Sequence, residues 1–383
     1  MHRNIRLLYL HNLLTDFRFQ APFVLIYFEQ VTGSYTAATL ILATETLMAA
    51  LLDIPTGIFS DRFSRRATLA CGSASYALSL TCYAFGSHFA VFILGATLFG
   101  LSLALFSGNN NAMLYETLKA EGKEKRFHHY QGRASSMFQI GLGVSAFLAG
   151  FIAPFGLRIV FMLGIIPQIL AVIVSLLMKE PRTHIEVEEK SLAHFMSALR
   201  TVWRNPRLRL LTVAQSISYG FGEASFMFNT AFVNMVWPTW AVAAYRMLAH
   251  IFAFAGYWFS GKILDRIKPA FALAAASAYG LVSGLAAVFM ANIVSPLIFV
   301  TGSGFFGAYM VARDKIMQEE FNDRQRATMS SVITFGGSLV SGAAALILGL
   351  IADHYGVIAA LASGILLSGT ALPVFVRMFR RYF

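Results

Sequence analysis

Four of the ionisable side chains inside apolar stretches of this sequence are candidates to take up and release a proton. They are Asp16, Glu45, Glu223 and His250. An ionisable group within a membrane is energetically costly, so such residues usually line a cavity or pair with one another. Glu45 has no cation beside it in the sequence, which leaves it either protonated at rest or paired with a cation on another helix. We predict Glu45 as the first candidate for a proton-coupling carboxyl, ahead of Asp16 and Glu223, with a structural ion pair as the alternative.

His250 is the fourth proton-coupling candidate, and its alternative is a packing residue inside the membrane. Imidazole is the side chain whose protonation is most easily tuned across physiological pH. Arg246 lies four residues before it, so the two side chains share a face if this segment is helical. Arg246 is therefore grouped with the polar residues that could line a cavity.

Seven polar residues in apolar stretches are candidates for such a substrate cavity. Arg18 has two possible roles, contact with a substrate or gate and a structural ion pair with Asp16. Residues 313–315 (Arg-Asp-Lys) align with residues 109–111 (three asparagines) when the triplets are counted back from Glu320 and Glu116. Matched polar triplets predict a lined pathway, with ion pairs at an inner gate as the alternative. The cavity candidates are Arg18, Gln20, Asn109, Asn110, Arg246, Arg313 and Asp314.

Residues 57–66, GIFSDRFSRR, combine a glycine, a carboxylate and three arginines. This segment resembles the inner-loop motif of the major facilitator superfamily, G-x-x-x-D-R-x-G-R-R, with Ser64 where that family usually has glycine. A degraded second copy, GKILDRIKPA, follows at residues 261–270. The resemblance covers the whole chain through the position of the motif, the number of predicted helices and the central loop. Residues 107–136 further resemble a subgroup of bacterial drug-efflux-like members.

The resemblance implies that this motif forms a conformational latch for the outward-facing state. Gly57 would permit two helices to approach closely. The carboxylate of Asp61 could face the N-terminus of the eleventh predicted helix, where exposed N–H groups favour a negative charge. The arginines could pair with Glu116, and the alternative is a basic loop that only sets the topology. The predicted latch residues are Gly57, Asp61, Arg62, Arg65, Arg66 and Glu116.

All these residues require a scaffold that crosses a membrane. Of 383 residues, 57% are hydrophobic and only 13% are charged, whereas a soluble protein carries about twice that share of charge. Apolar runs of about 20 residues recur along the chain and suit transmembrane helices. We predict an all-α membrane protein with twelve transmembrane helices in two pseudo-symmetric six-helix halves. The predicted helices centre near residues 17, 47, 77, 103, 141, 167, 221, 250, 280, 306, 340 and 366.

The two halves repeat their landmarks. Asp61 after the second predicted helix matches Asp265 after the eighth, and Glu116 matches Glu320. Two repeated halves place a substrate site near the bilayer midplane, between them. We predict an N-terminal half at residues 1–180, a cytoplasmic linker at 181–208 and a C-terminal half at 209–383.

Basic residues indicate the orientation. Of the 30 lysines and arginines, only Arg158 falls in a predicted outer loop, so both termini are predicted to be cytoplasmic. We expect a multi-pass protein of the inner (plasma) membrane. The net charge of +11 does not indicate a nucleic-acid partner, because the basic residues lie mostly in loops and form no stripe with aromatic residues.

The sequence contains no phosphate-binding loop, no nucleophile–base arrangement and no metal-ligand cluster. We therefore expect no enzyme, no metal and no cofactor, which disfavours a membrane enzyme or lipid-handling protein. The favoured function is proton-coupled efflux of a small or amphipathic compound by alternating access. We expect a monomer whose partners are its small-molecule substrate, protons and the lipid bilayer. The alternative is a proton-coupled importer of a nutrient or metabolite, since residues 141–154 lack the Gly-Pro pair of many efflux antiporters.

Overall fold

The computed structural model describes residues 2–62, 64–180, 192–319 and 326–381, and every regular element in these ranges is helical. Two short 3-10 helices, Glu124–Arg126 and Ala153–Phe155, flank the seventh α-helix. The prediction of an all-α protein is confirmed for the described residues. The α-helices are α1 (His2–Thr15), α2 (Val24–Thr32), α3 (Tyr35–Arg62), α4 (Arg65–Phe85), α5 (Phe89–Phe106), α6 (Asn109–Lys119), α7 (Phe127–Ile152), α8 (Leu157–Leu177), α9 (Leu192–Arg204), α10 (Pro206–Val236), α11 (Thr239–Leu264), α12 (Pro269–Met290), α13 (Ser295–Glu319), α14 (Arg326–Gly369) and α15 (Leu372–Arg381).

Six stretches of the described helices are long and apolar enough to cross a membrane, judged by length and composition alone. The predicted centres near 340 and 366 share the last stretch, where Gly356 interrupts α14 with a φ of 85°. The centres near 77, 141, 221 and 250 lie in α4, α7, α10 and α11, which are helical but are not among the six. The count of twelve spans therefore stays a prediction. The six stretches are Tyr35–Asp53, Phe89–Lys119, Leu157–Leu177, Pro269–Met290, Ser295–Arg313 and Thr334–Arg377.

The first predicted helix is interrupted. We expected one helix centred near residue 17, whereas residues 16–23 separate α1 from α2. Pro22 contributes to the break, because proline has no N–H to donate and its ring clashes with the preceding turn. Gln168 satisfies the end of α1 by donating to the carbonyls of Leu14 at 3.3 Å and Thr15 at 3.4 Å. Irregular backbone at membrane depth is tolerated only where it is buried in protein or lines a cavity.

The fourth predicted helix is also interrupted, between α5 and α6. Gly108 has a φ of 70°, a left-handed conformation that glycine adopts without steric cost. The break is followed directly by Asn109, the first residue of α6. Both interruptions therefore lie beside residues that were predicted to line a cavity.

The chain divides into two compact units. The first unit comprises Met1–Tyr27 and Thr44–Glu189, and the second comprises Phe28–Ala43 and Lys190–Phe383. In the first unit, α4 packs against α5 and α8, while α1 packs against α7 and α8. In the second unit, α10 packs against α14, and α13 against both α11 and α12. The prediction of halves at 1–180 and 209–383 stays a prediction.

Part of the predicted linker is helical. We expected a polar connection at residues 181–208, and its described part contains α9 and the first residues of α10. The apolar residues of α9 recur at helical spacing, with Met196, Leu199 and Trp203 along one face and the polar residues Arg200 and Arg204 on another. The helix was missed because this short amphipathic pattern follows a strongly polar stretch.

Candidate functional site

A cluster of polar side chains surrounds the break between α1 and α2 in the first unit. Arg18 Nη2 forms an ion pair with Asp16 Oδ1 at 2.9 Å. The guanidinium carbon lies 5.8 Å from the ring centre of Tyr76 and 5.9 Å from that of Phe99, close enough for cation–π attraction. Gln20 Nε2 donates to Tyr76 Oη at 2.6 Å. The structure thus brings together three predicted residues and two aromatic residues that were not predicted.

Glu45 lies close enough to the cluster at the α1–α2 break to feel the charge of Arg18. Tyr83 Oη donates to Glu45 Oε1 at 2.6 Å, and the positive charge of Arg18 acts on both Glu45 and Asp16. Within the described ranges, no ion pair joins Glu45 to a cation. A carboxyl oxygen accepts such a bond whether or not the group is protonated, so the contact with Tyr83 is compatible with either charge state.

Several buried polar atoms of this cluster have no hydrogen-bond partner among the described residues. They are Arg18 Nε, Gln20 Oε1 and Gln168 Oε1. A buried donor or acceptor without a partner costs about 1–3 kcal/mol, so native proteins usually satisfy such atoms with water or a ligand. The cluster can therefore offer both a donor and acceptors to a small polar molecule.

The second unit has its own buried arginine. Arg246 Nη2 donates to the Phe226 carbonyl at 3.2 Å, and the guanidinium carbon stands 3.8 Å from the centre of the Phe226 ring. The charge of Arg246 acts on Glu223 and His250, but Arg246 forms no direct ion pair with Glu223. Arg246 Nε has no partner among the described residues. Three predicted residues, Arg246, Glu223 and His250, are thus brought together here.

Arg65 anchors a second polar cluster in the first unit. Its Nε and Nη2 each lie 3.2 Å from Glu116 Oε1, and its Nη1 donates to Ser60 Oγ at 2.8 Å. Ser60 Oγ donates in turn to Asn109 Oδ1 at 2.8 Å, and Asn109 Nδ2 donates to the Arg65 carbonyl at 3.1 Å. The structure therefore places Asn109 with the predicted latch residues. Asn110, its neighbour, has a buried Oδ1 without a partner among the described residues.

Glu180 caps the N-terminus of α4. Ser64 is the N-cap residue; its Oγ accepts from the Ala67 amide at 3.2 Å and donates to Glu180 Oε2 at 2.6 Å. The amides of Arg65 and Arg66 donate to the two oxygens of Glu180 at 2.8 and 3.1 Å. A carboxylate here satisfies free amides and complements the helix dipole. Ser64, the departure from the motif, thus has a defined structural role, and this arrangement is called the α4 cap below.

The other predicted residues of the motif at residues 57–66 make fewer described contacts than Arg65. A Cβ added at Gly57 would meet no described atom within 4 Å, so the close helix approach expected at Gly57 stays a prediction. Arg66 Nη1 donates weakly to the Met178 carbonyl at 3.4 Å. Asp61 and Arg62 lie in the last turn of α3, and their side chains, like that of Asp314, lie outside the described part of the structure.

Arg313 lies on α13, half-buried, and its charge acts on Tyr219 and Tyr309. The Tyr309 hydroxyl donates to Gln215 Oε1 at 3.3 Å and lies 3.3 Å from Ser218 Oγ. Gln215 is buried, and its Nε2 has no partner among the described residues. The predicted cavity residue Arg313 thus acts on a hydrogen-bonded group of three polar side chains, Tyr309, Gln215 and Ser218.

Asp353 caps the N-terminus of α3 in the same manner as Glu180 caps α4. Ser34 Oγ donates to Asp353 Oδ2 at 2.7 Å and accepts from the Ala37 amide at 3.1 Å. The amides of Tyr35 and Thr36 donate to the two oxygens of Asp353 at 2.6 and 2.9 Å. All these residues belong to the second unit. This α3 cap was not predicted, although Ser34 directly before an apolar helix is a recognised N-cap signal.

The described residues contain no group of three or more histidine, cysteine, aspartate or glutamate side chains that could hold a metal ion.

Comparison with known sequences gives a family match and a relative. The profile of the Major Facilitator Superfamily matches residues 12–345. An uncharacterized MFS-type transporter of Methanocaldococcus jannaschii is 26% identical over 158 residues, which cover 41% of this chain. The chain matches only 40% of the length of that relative.

Solved structures of transporters share the fold over nearly the whole chain. A nucleoside transporter, NupG, aligns with a TM-score of 0.80 and 14% identity, over 99% of this chain and 100% of its own. A bacterial homolog of the human lysosomal transporter Spinster aligns with a TM-score of 0.72 and 18% identity, over 98% and 94%. The E. coli fucose:proton symporter FucP aligns with a TM-score of 0.59 and 17% identity, over 98% of each chain. At these identities the similarity concerns the fold.

Proposed function

Because this chain belongs to the major facilitator superfamily and is a multi-pass membrane transporter rather than an enzyme, we propose that it exports a small or amphipathic compound in exchange for protons by alternating access. The observation that carries the proposal is the part-buried hydrogen bond between Glu45 and Tyr83, next to the ion pair of Asp16 and Arg18. The family, the transport function and the absence of enzyme activity were predicted from the sequence and are confirmed.

Glu45 has the environment that a coupling carboxyl needs. Its partner at 2.6 Å is a neutral phenol, and Arg18, whose charge reaches it, is already paired with Asp16. A carboxyl without its own cation can be neutral when the surrounding space is dry and ionised when water enters. Proton binding and release at Glu45 would then accompany the opening of the site to each side.

The break between α1 and α2 supports a substrate site in the same cluster. Interrupted helices in transporters mark the positions where backbone and side chains converge on a substrate. We assign the substrate's polar group to Arg18 and Gln20, whose unpartnered atoms can bond to it, and its apolar part to Tyr76 and Phe99. Asp16 would then release part of its hold on Arg18 as the substrate binds.

The second unit supplies further candidates for both roles. Arg246 has no ion-pair partner among the described residues, and Glu223 and His250 lie within reach of its charge. We propose that Glu223 and His250 are secondary coupling candidates. Arg246 and Arg313 are proposed as cavity residues.

Import remains the second candidate for the direction of transport. The fold is shared with a fucose:proton symporter, and symport uses the same coupling groups with the opposite direction of substrate movement. Residues that bind protons and substrate do not distinguish these two directions.

We further propose twelve spans in two pseudo-symmetric halves, an inner-membrane location and cytoplasmic termini. In this topology the residues around Arg65 and Glu116 face the cytoplasm. The latch role of Gly57, Asp61, Arg62, Arg65, Arg66 and Glu116 is likewise a proposal, supported by the contact of Arg65 with Glu116 at 3.2 Å.

The proposed coupling is tested with Glu45→Gln in proteoliposomes, using a panel of radiolabelled compounds and an imposed pH gradient. Glutamine keeps the size of the side chain but cannot release a proton. We expect loss of gradient-driven movement, whereas exchange of substrate at equal concentrations on both sides continues. Retention of full gradient-driven accumulation would transfer the coupling role to Asp16, Glu223 or His250.

Two variants serve as controls for Glu45→Gln. Glu121→Gln removes a carboxylate that pairs with Lys123 at 3.0 Å outside the cluster, and it should leave coupling intact. Tyr83→Phe removes only the phenol bond and should shift the pH profile of transport while coupling persists. The sign of the gradient that drives accumulation decides between export and import.

The topology is tested by labelling single cysteines in a variant that lacks Cys71 and Cys82. A cysteine at Lys119, exposed at the end of α6, should resist an impermeant reagent added to intact cells. A cysteine at Phe155, which is 78% exposed, should react. The reverse pattern would overturn the proposed orientation.

A further inference from the structure

We propose that the corner between α9 and α10 is a binding site for an anionic phospholipid. This site lies outside the substrate and proton clusters and does not depend on the direction of transport.

An open groove of about 400 Å³ lies at this corner, and it is called the cavity below. Asn205 and Pro206 create the turn: the Asn205 carbonyl accepts from the Arg209 amide at 2.9 Å, and its side chain accepts from the Leu208 amide at 3.4 Å. Asparagine at the N-cap and proline at the first helical position are preferred at helix starts. The cavity therefore lies where α9 ends and the capped first turn of α10 begins. Its lining residues are Trp203, Pro206, Arg209, Leu210 and Val213.

Arg209 supplies the cation of this cavity. Its guanidinium carbon lies 6.0 Å from the centre of the Trp203 ring, and it forms no ion pair with a described residue. Arg204, at the end of α9, is also exposed. Guanidinium groups recognise phosphate oxygens through paired donors, so this end of the cavity suits a phosphodiester headgroup.

The residues that line the cavity beside Arg209 are apolar and exposed. Trp203 is 56% exposed, Leu210 51% and Val213 42%, and Met196 extends this apolar surface along the same face of α9 as Trp203. Helices that lie in a membrane interface combine such an apolar face and an indole ring with basic residues. Leu210 and Val213 can therefore contact an acyl chain while Arg209 holds the headgroup.

The combination favours a lipid over a soluble anion or a protein partner. A free phosphate would use Arg209 but not the apolar surface, and no acidic side chain among the described residues completes the cavity as a protein interface would. The chain is embedded in a bilayer, where anionic lipids attract clustered basic residues near the membrane surface.

The test uses the fluorescence of Trp203, one of four tryptophans, after Trp237, Trp240 and Trp258 have been changed to phenylalanine. The protein is reconstituted in vesicles that contain equal fractions of brominated phosphatidylglycerol or brominated phosphatidylcholine. We expect the anionic lipid to quench Trp203 about twofold more strongly, because it is enriched at the site. Arg209→Gln should remove this preference. Arg266→Gln, which changes an exposed arginine elsewhere in the second unit, should preserve it.

Equal quenching by the two lipids, absence of quenching by either, or a preference that survives Arg209→Gln would each overturn the proposal. Native mass spectrometry of the chain with all four tryptophans provides a second measurement that does not depend on the tryptophan changes. There Arg209→Gln should reduce adducts of phosphatidylglycerol relative to Arg266→Gln. An unchanged adduct distribution would contradict the site.

Discussion

The α3 cap and the α4 cap use the same chemistry in two different settings. In each, a serine is the N-cap residue, and a carboxylate from a distant segment accepts hydrogen bonds from the next two backbone amides. The carboxylate belongs to Asp353 in the α3 cap and to Glu180 in the α4 cap. The carboxylate also accepts from the serine hydroxyl, at 2.7 Å for Ser34 and 2.6 Å for Ser64. Helix starts with such caps are satisfied locally, whatever the helix packs against.

The settings differ in what else holds each helix start. The first turn of α4 is also fixed through the side chain of Arg65, which bonds to Glu116 and Ser60. Both helix and cap lie in the first unit, where α4 packs along α8. The cap on α4 is therefore one of several contacts that fix the same turn.

The first turns of α3 depend more strongly on α14. Residues 35–43 belong to the second unit, whereas the rest of this helix, including Glu45, belongs to the first. The Tyr35 ring contacts Phe228 at 5.8 Å, and a Cβ at Gly349 of α14 would come within 3.0 Å of the Tyr35 carbonyl. The comparison teaches that the same cap can reinforce a packed helix or attach the start of a helix that two units share.

The largest effect is expected for Asp353→Ala. This change removes all acceptors of the carboxylate, and a lost cap of this kind costs about 1–2 kcal/mol. We expect amide hydrogen exchange at Tyr35 and Thr36 to accelerate about tenfold, which corresponds to about 1.4 kcal/mol. Transport should slow as well, because the start of the helix that carries Glu45 loses the carboxylate that holds its first turn.

Mass spectrometry of a peptide that covers residues 34–43 measures the exchange. Exchange in the first turn of α4 is the internal control and should stay unchanged. Unaltered exchange in the α3 peptide would show that packing against α14, and not the carboxylate, holds this helix start.

A smaller effect is expected for Glu180→Ala. This change removes the three corresponding bonds at α4, from the Ser64 hydroxyl and the amides of Arg65 and Arg66. The side chain of Arg65, however, remains bonded to Glu116 and Ser60. We expect exchange at the amides of Arg65 and Arg66 to accelerate about fivefold, or about 1 kcal/mol. An effect equal to that of Asp353→Ala would remove the proposed difference between the two settings.

The sequence predicted the helical scaffold better than the contacts of the site. Apolar runs of bilayer length are a direct signal, and they located most helices. The break at residues 16–23 was missed although Pro22 was a signal for it. A pairing of one motif arginine with Glu116 could be proposed because both lie at the inner ends of neighbouring predicted helices. In the structure, Arg65 is the arginine that contacts Glu116.

The partners of Glu45 and of the two caps could not be predicted in the same way. Tyr83 stands 38 residues from Glu45 in an apolar segment where a tyrosine carries no distinguishing pattern. Asp353 and Glu180 lie more than 100 residues from the amides that they accept. Such contacts depend on helix packing, which a single sequence does not encode in its local spacing.

The smallest effect is expected for Ser64→Gly, which installs the residue that the family motif usually has at this position. Glycine at an N-cap costs only a few tenths of a kcal/mol relative to serine. The change removes the hydroxyl bonds to Glu180 and the Ala67 amide, but both amide bonds to the carboxylate remain. Amide hydrogen exchange at Arg65 and Arg66 should therefore accelerate by less than about twofold.

Ser64→Ala is the matched control. Its effect on exchange should fall between that of Ser64→Gly and that of Glu180→Ala, because alanine lacks the backbone freedom of glycine. If Ser64→Gly equalled Glu180→Ala, the serine would be the main cap of α4, and Ser34 rather than Asp353 would become the residue to test on α3.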